Sequence, residues 1–254
     1  MDDFARRAPA HRRAFFEEAA ARRDLTPIIL EKDFWVCWTL RRLMRFKALE
    51  GHITFKGGTS LSKAHGIIKR FSEDIDLTIR RTAPILETVA NPLEDGISRN
   101  ERDRRTKALV GAAGQYVATI ALPELSSAIE EALGTREGWT VELDPDDHAQ
   151  QTILFNYPRT SGYGTNYGAA YGGDTAAAYI KPRIKLEYGA RGDPEPYDSR
   201  TVVPYLAEEF PQDLPDAASA VDTLSVERTF WEKATILHAL HHSGKLRPGL
   251  SRHY

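Results

Sequence analysis

Cysteine is nearly absent from the 254-residue sequence, which contains only Cys37. A single cysteine cannot form an intramolecular disulfide, and it cannot build a zinc site from several thiolates. The sequence therefore excludes a disulfide-stapled secreted scaffold and a zinc ribbon, and a reducing compartment fits best. Cys37 itself lies between Val36 and Trp38, so we expect it to be a small buried hydrophobic residue.

Long apolar runs and a secretory leader are also missing from the sequence. Residues 1–13 are charged and have no apolar core of the kind that signal peptides contain. No later stretch approaches the run of about 18 apolar residues that spans a bilayer. We therefore expect a cytoplasmic protein that does not associate with a membrane.

An excess of one charge is lacking too, because 34 Lys and Arg residues face 36 Asp and Glu residues, giving a formal net charge of -2. This balance excludes a uniformly basic nucleic-acid coat, although it permits local basic and acidic surfaces. The content of 41% hydrophobic and 28% charged residues is typical of a globular chain, which at this length forms one large or two modest domains.

Two helices are predicted at the amino-terminal end. Residues 4–23 are basic, and their paired arginines either face solvent or contact nucleic acid. Thr26 and Pro27 have the residue types of an N-cap and a first helical position, so a second helix is expected to begin there. Within it, the composition of Glu31-Lys32-Asp33 favours a solvated charged surface over a catalytic group.

Alternating patterns predict the first strands. Residues 52–55 alternate like a strand, 56–60 form a glycine-containing turn, and 61–68 resume a helical pattern. A second strand over 74–79 alternates apolar residues with acidic ones, so we expect its apolar side to face the core.

The remaining chain is predicted to hold a basic helix around 99–107, an alanine-rich helix over 108–133, and strands over 140–143, 151–157 and 179–188. Residues 161–174 are rich in glycine and tyrosine, which suggests a mobile loop, with base stacking on Tyr163, Tyr167 or Tyr171 as an alternative. A connector over 194–215 leads to a final helix that begins near Ser225. Its expected buried stripe is Val226, Phe230, Ala234, Leu237 and Leu240.

Two carboxylates, those of Asp74 and Asp76, are the candidate metal ligands of the sequence. Asp74 and Asp76 lie two positions apart on one strand, so their Cα atoms are about 6 to 7 Å apart and both side chains point the same way. Oxygen ligands of this kind select Mg²⁺ or Mn²⁺. Glu187 is a third carboxylate suited to a metal or to general-base catalysis, and Lys185 on the same strand face suits phosphate charge.

A glycine-rich turn lies shortly before this pair. Gly57-Gly58-Thr59-Ser60 offers backbone amides and two hydroxyls to a triphosphate. It is neither a Walker A loop nor a Rossmann fingerprint, since the spacing of both motifs is absent. Taken separately, each of these features has an ordinary structural interpretation.

Taken together, these segments resemble the AbiEii/AbiGii toxin family of nucleotidyltransferases, within the DNA polymerase β-like superfamily. The resemblance rests on the runs FKGGTSLSK (55–63) and RFSEDIDL (70–77), supported by 31–33 and 226–233. It implies an α+β fold in which a nucleotidyltransferase-type lobe with a mixed, helix-flanked sheet covers 1–190. A connector and a helical C-terminal lobe would cover 191–254. The family's pattern usually continues beyond this point, so we expect that lobe to be short or truncated.

The resemblance also implies a function. A toxin of the AbiE or MenT kind, paired with a separately encoded antitoxin, would transfer a nucleoside monophosphate from an NTP, and the MenT type suggests a tRNA 3′ end as acceptor. Asp74, Asp76 and Glu187 would bind Mg²⁺ or Mn²⁺, and Lys185 matches the family's nucleotide-site lysine. The implied nucleotide contacts are Lys56, Gly58, Thr59, Ser60, Lys63, Glu227 and Lys233, and whether Glu227, Glu232 or Lys233 is essential stays open.

Three alternatives remain at this point. The same carboxylates would serve a two-metal nuclease that uses water as nucleophile. The acceptor would be a protein or a small molecule rather than RNA. The fold would merely bind a nucleotide or a partner without catalysis, although retention of all three acidic positions argues against this. For an RNA acceptor, the 99–107 cluster and the amino-terminal arginines are candidate phosphate contacts.

Overall fold

A mixed sheet of seven strands organises the part of the chain that the structure describes, namely residues 1–47, 49–69, 71–160, 181–192 and 194–243 of a computed structural model. The order across the sheet is β3-β4-β5-β2-β1-β7-β6. The strands are β1 (Ile53–Lys56), β2 (Ile75–Ile79), β3 (Thr140–Leu143), β4 (Thr152–Asn156), β5 (Ile184–Gly189), β6 (Tyr197–Val202) and β7 (Ser219–Leu224).

The centre of the sheet is the region that positions the acidic residues. Strand β1 pairs antiparallel with β2 and parallel with β7, whereas β2 pairs parallel with β5. In this register Asp76 lies beside Lys56 on one side and beside Glu187 on the other. The predicted alternation of β2 is confirmed, because Ile75, Leu77 and Ile79 are buried.

Eight α-helices flank the sheet within the described ranges. They are α1 (Asp2–Arg6), α2 (Pro9–Arg23), α3 (Pro27–Leu43), α4 (Gly57–Lys63), α5 (Arg99–Tyr116), α6 (Leu122–Leu133), α7 (Tyr205–Glu209) and α8 (Val226–Ser243). The single helix predicted over 4–23 is therefore two helices. Ala8 adopts ψ 143° because the following Pro9 disfavours helical backbone in the residue before it.

Helix α3 is the main core helix. It begins as predicted, with the Thr26 hydroxyl accepting a hydrogen bond from the Ile29 amide at 3.4 Å and Pro27 in the first helical turn. Trp35 and Trp38 are fully buried on it. The expected burial of Cys37 is confirmed, since only 1% of its surface is exposed.

The carboxyl-terminal region differs from the predicted connector and helical lobe. Strand β6 lies inside the predicted connector, and β6 and β7 pair antiparallel along their whole length. Because β7 also pairs with β1, a boundary near residue 190 does not coincide with an edge of the sheet. The prolines of residues 194–215 predicted an irregular connector. The strand forms because β6 pairs with β7, which lies later in the chain.

Helix α8 begins as predicted, since the Ser225 hydroxyl accepts a hydrogen bond from the Arg228 amide at 3.2 Å. The buried stripe predicted for it is wrong at Phe230, which is 60% exposed, and the neighbouring Trp231 is 64% exposed. The helix instead turns Thr229 into the core, whereas Val226, Ala234, Leu237 and Leu240 of the predicted stripe are half-buried, so the prediction is wrong at one position of the stripe.

One helical run, Arg99–Leu133, is just long and apolar enough to count as a candidate membrane span. A core helix of a soluble protein passes the same test. Leu109, Ala113, Leu125 and Ile129 of this run are buried, and its two helices contact strands β5 and β3. We therefore assign it to the core.

The sheet order predicts the outcome of truncation. A chain that ends after residue 192 lacks β6 and β7 and exposes the edge of the buried strand β1, so we expect it to aggregate or to lack cooperative unfolding. A control chain that ends at residue 225 keeps all seven strands and should retain the sheet signal in circular dichroism. Cooperative unfolding of the shorter chain would show that β6 and β7 are dispensable.

Candidate active site

Helix α4 begins directly where strand β1 ends, so the predicted turn is the first turn of the helix. The helix ends at Lys63 rather than near residue 68. Gly57 has a φ of +79°, and a Cβ placed on it would lie 1.9 Å from the Asp76 Oδ2 atom. Both the backbone conformation and the close approach require glycine at this position.

The hydroxyls of Thr59 and Ser60 are directed at the protein itself. Thr59 donates to the carbonyl of Asp74 at 2.5 Å and accepts from the Ser72 hydroxyl at 3.0 Å, and Ser60 donates to the Gly57 carbonyl at 2.9 Å. Both side chains are buried. The Thr59 hydroxyl thus fixes α4 to the segment that carries Asp74, and the Ser60 hydroxyl bonds within α4. The predicted phosphate contacts of both residues, like that of Gly58, remain predictions.

The carboxylates at the centre of the sheet lie in an unfavourable environment for negative charge. Burial raises the pKa of Asp76 to about 7, and the nearby charges of Glu187 and Asp74 add to the shift. Burial also raises the pKa of Asp74, with Glu73 and Glu187 contributing. Because these carboxylates repel one another when they are ionised, a cation bound between them would be stabilised.

Lys185 and Glu187 form an ion pair at 2.7 Å on the face of β5 opposite its buried residues. Burial lowers the pKa of Lys185, but the carboxylates of Glu187 and Asp144 outweigh it and the pKa is raised. The Asp144 carboxylate lies 3.8 Å from the same ammonium. Both residues that the sequence predicted on β5 therefore lie at the site and contact each other.

The three predicted metal ligands are not gathered into one donor group. Among the side chains that the structure describes, no three from His, Cys, Asp and Glu are placed to hold a metal ion. Glu187 faces Lys185 instead, which leaves Asp74 and Asp76 as the acidic pair. One or two carboxylates with water and phosphate oxygens are sufficient for Mg²⁺ at nucleotide sites.

Lys56 links this centre to helix α8. Its ammonium lies 3.1 Å from the Glu232 carboxylate, and its charge lowers the pKa of Asp76, as does that of Lys233. A Cβ on Gly192 would lie 2.9 Å from Glu232 Oε1, so the chain after β5 also approaches this pair closely. Of the three residues left open by the sequence, Glu232 and Lys233 thus act on the centre, whereas Glu227 is exposed.

A cavity of about 470 Å³ opens beside these residues. It is lined by Lys56, Asp76, Lys185 and Glu187, and by the segment between β3 and β4 with Asp144, Asp146 and Asp147. The sequence of residues 144–147 predicted only a turn. The repeated aspartates of this turn were the feature that could have indicated a role in the site. No neighbouring residue in the sequence shows that the turn faces β5.

Lys63, predicted as a nucleotide contact, does not line this cavity. Its ammonium lies 2.8 Å from the Asp33 carboxylate and over the ring of Tyr205, and both charged side chains are almost fully buried. Burial would lower the pKa of Lys63, but Asp33 reverses the shift and raises it. The structure therefore corrects the prediction: Lys63 is committed to a buried ion pair.

The interpretation of Glu31-Lys32-Asp33 as a solvated surface is wrong, because all three residues are buried. Burial lowers the pKa of Lys32, and the carboxylate of Glu73 opposes that shift. Glu, Lys and Asp are mostly exposed in proteins and are rarely buried unless they are paired. A prediction from composition therefore placed them on the surface.

The candidate RNA contacts are largely neutralised by neighbours. Arg12 is buried and donates to the carbonyls of Ala5 and Pro158, each at 2.7 Å. Arg104 and Arg105 both pair with Glu101 at 2.7 Å. Residues Tyr163, Tyr167 and Tyr171 lie outside the described residues, as does Arg70 of the second motif.

A protein-family model described as nucleotidyl transferase AbiEii toxin, type IV TA system, matches residues 38–254. The chain belongs to this family. Its resemblance to AbiEii toxins is thereby confirmed, and the chain is a nucleotidyltransferase of a type IV toxin-antitoxin system, which implies a cognate antitoxin. No curated protein matches the chain at a significant level.

Replacement of Gly57 tests the close approach to Asp76. In Gly57→Ala the new methyl group displaces the Asp76 carboxylate, so we expect nucleotidyl transfer to fall at least about 100-fold. Gly66→Ala is the matched control, because Gly66 has a similar φ of +65° but no atom within 4 Å of its Cβ position. Equal activity of the two variants at equal stability would contradict the role of Gly57.

The raised pKa of Asp76 predicts a pH-dependent stability. Between about pH 4 and pH 7 the folded carboxyl keeps a proton that the unfolded chain has released, so stability falls as pH rises through this window. Asp76→Asn cannot ionise, and we expect it to raise Tm at pH 8 by roughly 5 °C in EDTA, with no gain near pH 4. The Tm of each protein is measured by thermal unfolding at pH 4 and at pH 8, and the exposed Asp95→Asn is the control. An equal change in Tm of Asp76→Asn at the two pH values would contradict the raised pKa of Asp76.

Proposed function

We propose that this AbiEii toxin transfers a nucleoside monophosphate from an NTP to the 3′ end of tRNA, in a reaction that depends on a divalent metal. The observation that carries the proposal is the cavity that Asp76, Glu187 and Lys185 line together, with Asp74 immediately before the strand that carries Asp76. Its volume of about 470 Å³ lies within the usual range for small-molecule sites.

The donor set fits a hard divalent cation. Asp74 and Asp76 supply oxygen ligands only, and their pKa values are raised by burial and by neighbouring carboxylates, so a cation would relieve their repulsion. We propose that these two residues hold Mg²⁺ or Mn²⁺, while Glu187, which pairs with Lys185, lies beside the metal pair rather than in it. When bound, the metal would neutralise phosphate charge and stabilise the attacking and leaving oxygens.

The lysines of the cavity have a complementary task. Lys56 and Lys185 are half-buried cations that line it, so they would offset the negative charge of a bound triphosphate. Phosphoryl chemistry of this type depends mainly on positioning and charge neutralisation. In-line attack of the acceptor hydroxyl on the α-phosphorus would release pyrophosphate, and the positive charges of Lys56 and Lys185 would offset the phosphate charge among the surrounding carboxylates.

The choice of tRNA as acceptor rests on the sequence resemblance to toxins of the MenT type. We also propose a cytoplasmic location, since NTPs and tRNA are available there and a single cysteine suits a reducing compartment. The exposed cations at 99, 102 and 107 are the members of the predicted basic cluster that we retain as candidate phosphate contacts.

A labelling experiment tests the reaction, the donor and the acceptor together. Purified protein is incubated with Mg²⁺, total tRNA and each α-³²P-labelled NTP in turn, and the products are resolved on a denaturing gel. We expect label on tRNA with one NTP, and loss of that label in Asp74→Ala/Asp76→Ala, because the variant has no acidic pair to hold the metal.

The control is Glu142→Ala, which removes an exposed carboxylate of β3 and should leave labelling unchanged. Full labelling by the double variant would refute the assigned site. Label on protein instead of RNA would refute the tRNA acceptor, and shortened RNA without label would refute nucleotide transfer.

A further inference from the structure

Three consecutive charged residues of α3 are buried, each with no more than 3% of its surface exposed. A buried charge is costly unless it is paired and hydrogen-bonded. Successive residues of a helix point about 100° apart, so Glu31, Lys32 and Asp33 reach different parts of the chain. All three lie before residue 38, where the match to the family begins.

Each of the three residues holds a different segment. Glu31 accepts a hydrogen bond from the Thr160 amide at 2.6 Å. Asp33 pairs with Lys63 at the end of α4 and accepts from the Tyr205 amide at 2.6 Å. Helix α3 is therefore a common support for several segments around the site.

Lys32 is the member whose partners bear directly on the acidic centre. Its ammonium forms an ion pair with Glu73, the residue immediately before Asp74, and donates to the Lys181 carbonyl at 2.9 Å. The Lys181 backbone lies shortly before strand β5, which carries Lys185 and Glu187. One buried cation thus joins the segments that lead into β2 and β5.

These two strands are the ones whose relative position matters for the chemistry. They are adjacent and parallel, and their pairing sets Asp76 opposite Glu187. The backbone hydrogen bonds of the sheet begin at Ile75 and Leu186, so Asp74 itself lies outside the paired register. The position of Asp74 therefore depends on contacts outside the sheet: Thr59 holds its carbonyl, and Lys32 holds the preceding residue, Glu73.

We propose that Lys32 is a positioning residue for nucleotidyl transfer, which fixes the Asp74 carboxylate relative to Lys185 and Glu187 by joining the starts of β2 and β5. This proposal rests on the proposed function of the acidic site. Lys32 does not line the cavity; its ammonium contacts Glu73 and the Lys181 carbonyl, and its charge also lowers the pKa of Asp74. Displacement of a reacting group by about 1 Å costs on the order of 100-fold in rate.

The test compares Lys32→Met with Arg42→Met. Arg42 is a second buried cation of α3, which pairs with Asp2 at 2.5 Å and donates to the Trp38 carbonyl at 2.8 Å, near the opposite end of the helix. Both variants lose a buried ion pair from the same helix, so both lose stability. Only Lys32→Met should disturb the acidic centre.

Steady-state transfer is measured well below the Tm of each variant. We expect kcat of Lys32→Met to fall about 10- to 100-fold with the NTP KM within about threefold, and kcat of Arg42→Met to stay within about twofold. A purely structural role would lower the two activities alike. Equal kcat values for the two folded variants would overturn the proposal.

Amide hydrogen exchange gives a readout that requires no catalysis. Peptides covering 73–79 and 183–189 should exchange faster in Lys32→Met than in Arg42→Met or the unaltered protein. Unchanged exchange in both peptides would overturn the proposal. If the unaltered protein transfers nothing to RNA, the proposed function fails while this comparison still decides whether Lys32 joins the two strands.

A milder variant covers the case in which Lys32→Met does not fold. Glu73→Gln keeps an oxygen acceptor for the ammonium but removes the charge of a partly exposed side chain. We expect kcat to fall about 3- to 10-fold with an unchanged NTP KM, since the contact is weakened rather than lost. Activity equal to that of the unaltered protein would count against the proposal.

Discussion

The buried carboxylate of Asp76, with its pKa raised to about 7, is the constraint on which the surrounding structure depends. An ionised carboxylate at the centre of a sheet is costly, and two further carboxylates close by increase that cost. Lys56 and Lys233 offset part of it. Because Lys56 is in turn held by Glu232, the electrostatics of one strand residue extend to a helix near the other end of the described chain.

Backbone geometry meets the same constraint. The chain passes so close to Asp76 that only a glycine fits at position 57, and Thr59 then anchors the following helix to the Asp74 carbonyl. The glycine-rich run 57–60, which the sequence predicted to bind phosphate, thus also stabilises the fold around Asp74 and Asp76. The Thr59 and Ser60 hydroxyls therefore serve the fold, and the phosphate role of this run stays a prediction.

Features that depend on neighbouring residues could be predicted from the sequence. The cap of α3, the alternation of β2 and β5, and the start of α8 at Ser225 follow from local rules of capping and periodicity, and the structure confirms them. The family followed from two specific runs of residues. Features that depend on distant partners could not be predicted: Lys32 is buried because Glu73 and Lys181 meet it, and Phe230 is exposed because Thr229 takes the buried position.

The parallel pairing of β1 with β7 has a consequence for synthesis of the toxin. Phe55 lies opposite Thr223, and Lys56 pairs with Glu232, so the centre of the sheet is completed by residues that are synthesised long after β1 and β2. Contacts between such distant residues form late and slowly. A ribosome-bound nascent chain therefore carries Asp74 and Asp76 without the neighbours that complete their surroundings, and the finished site arises only when nearly all of the described chain is free to fold.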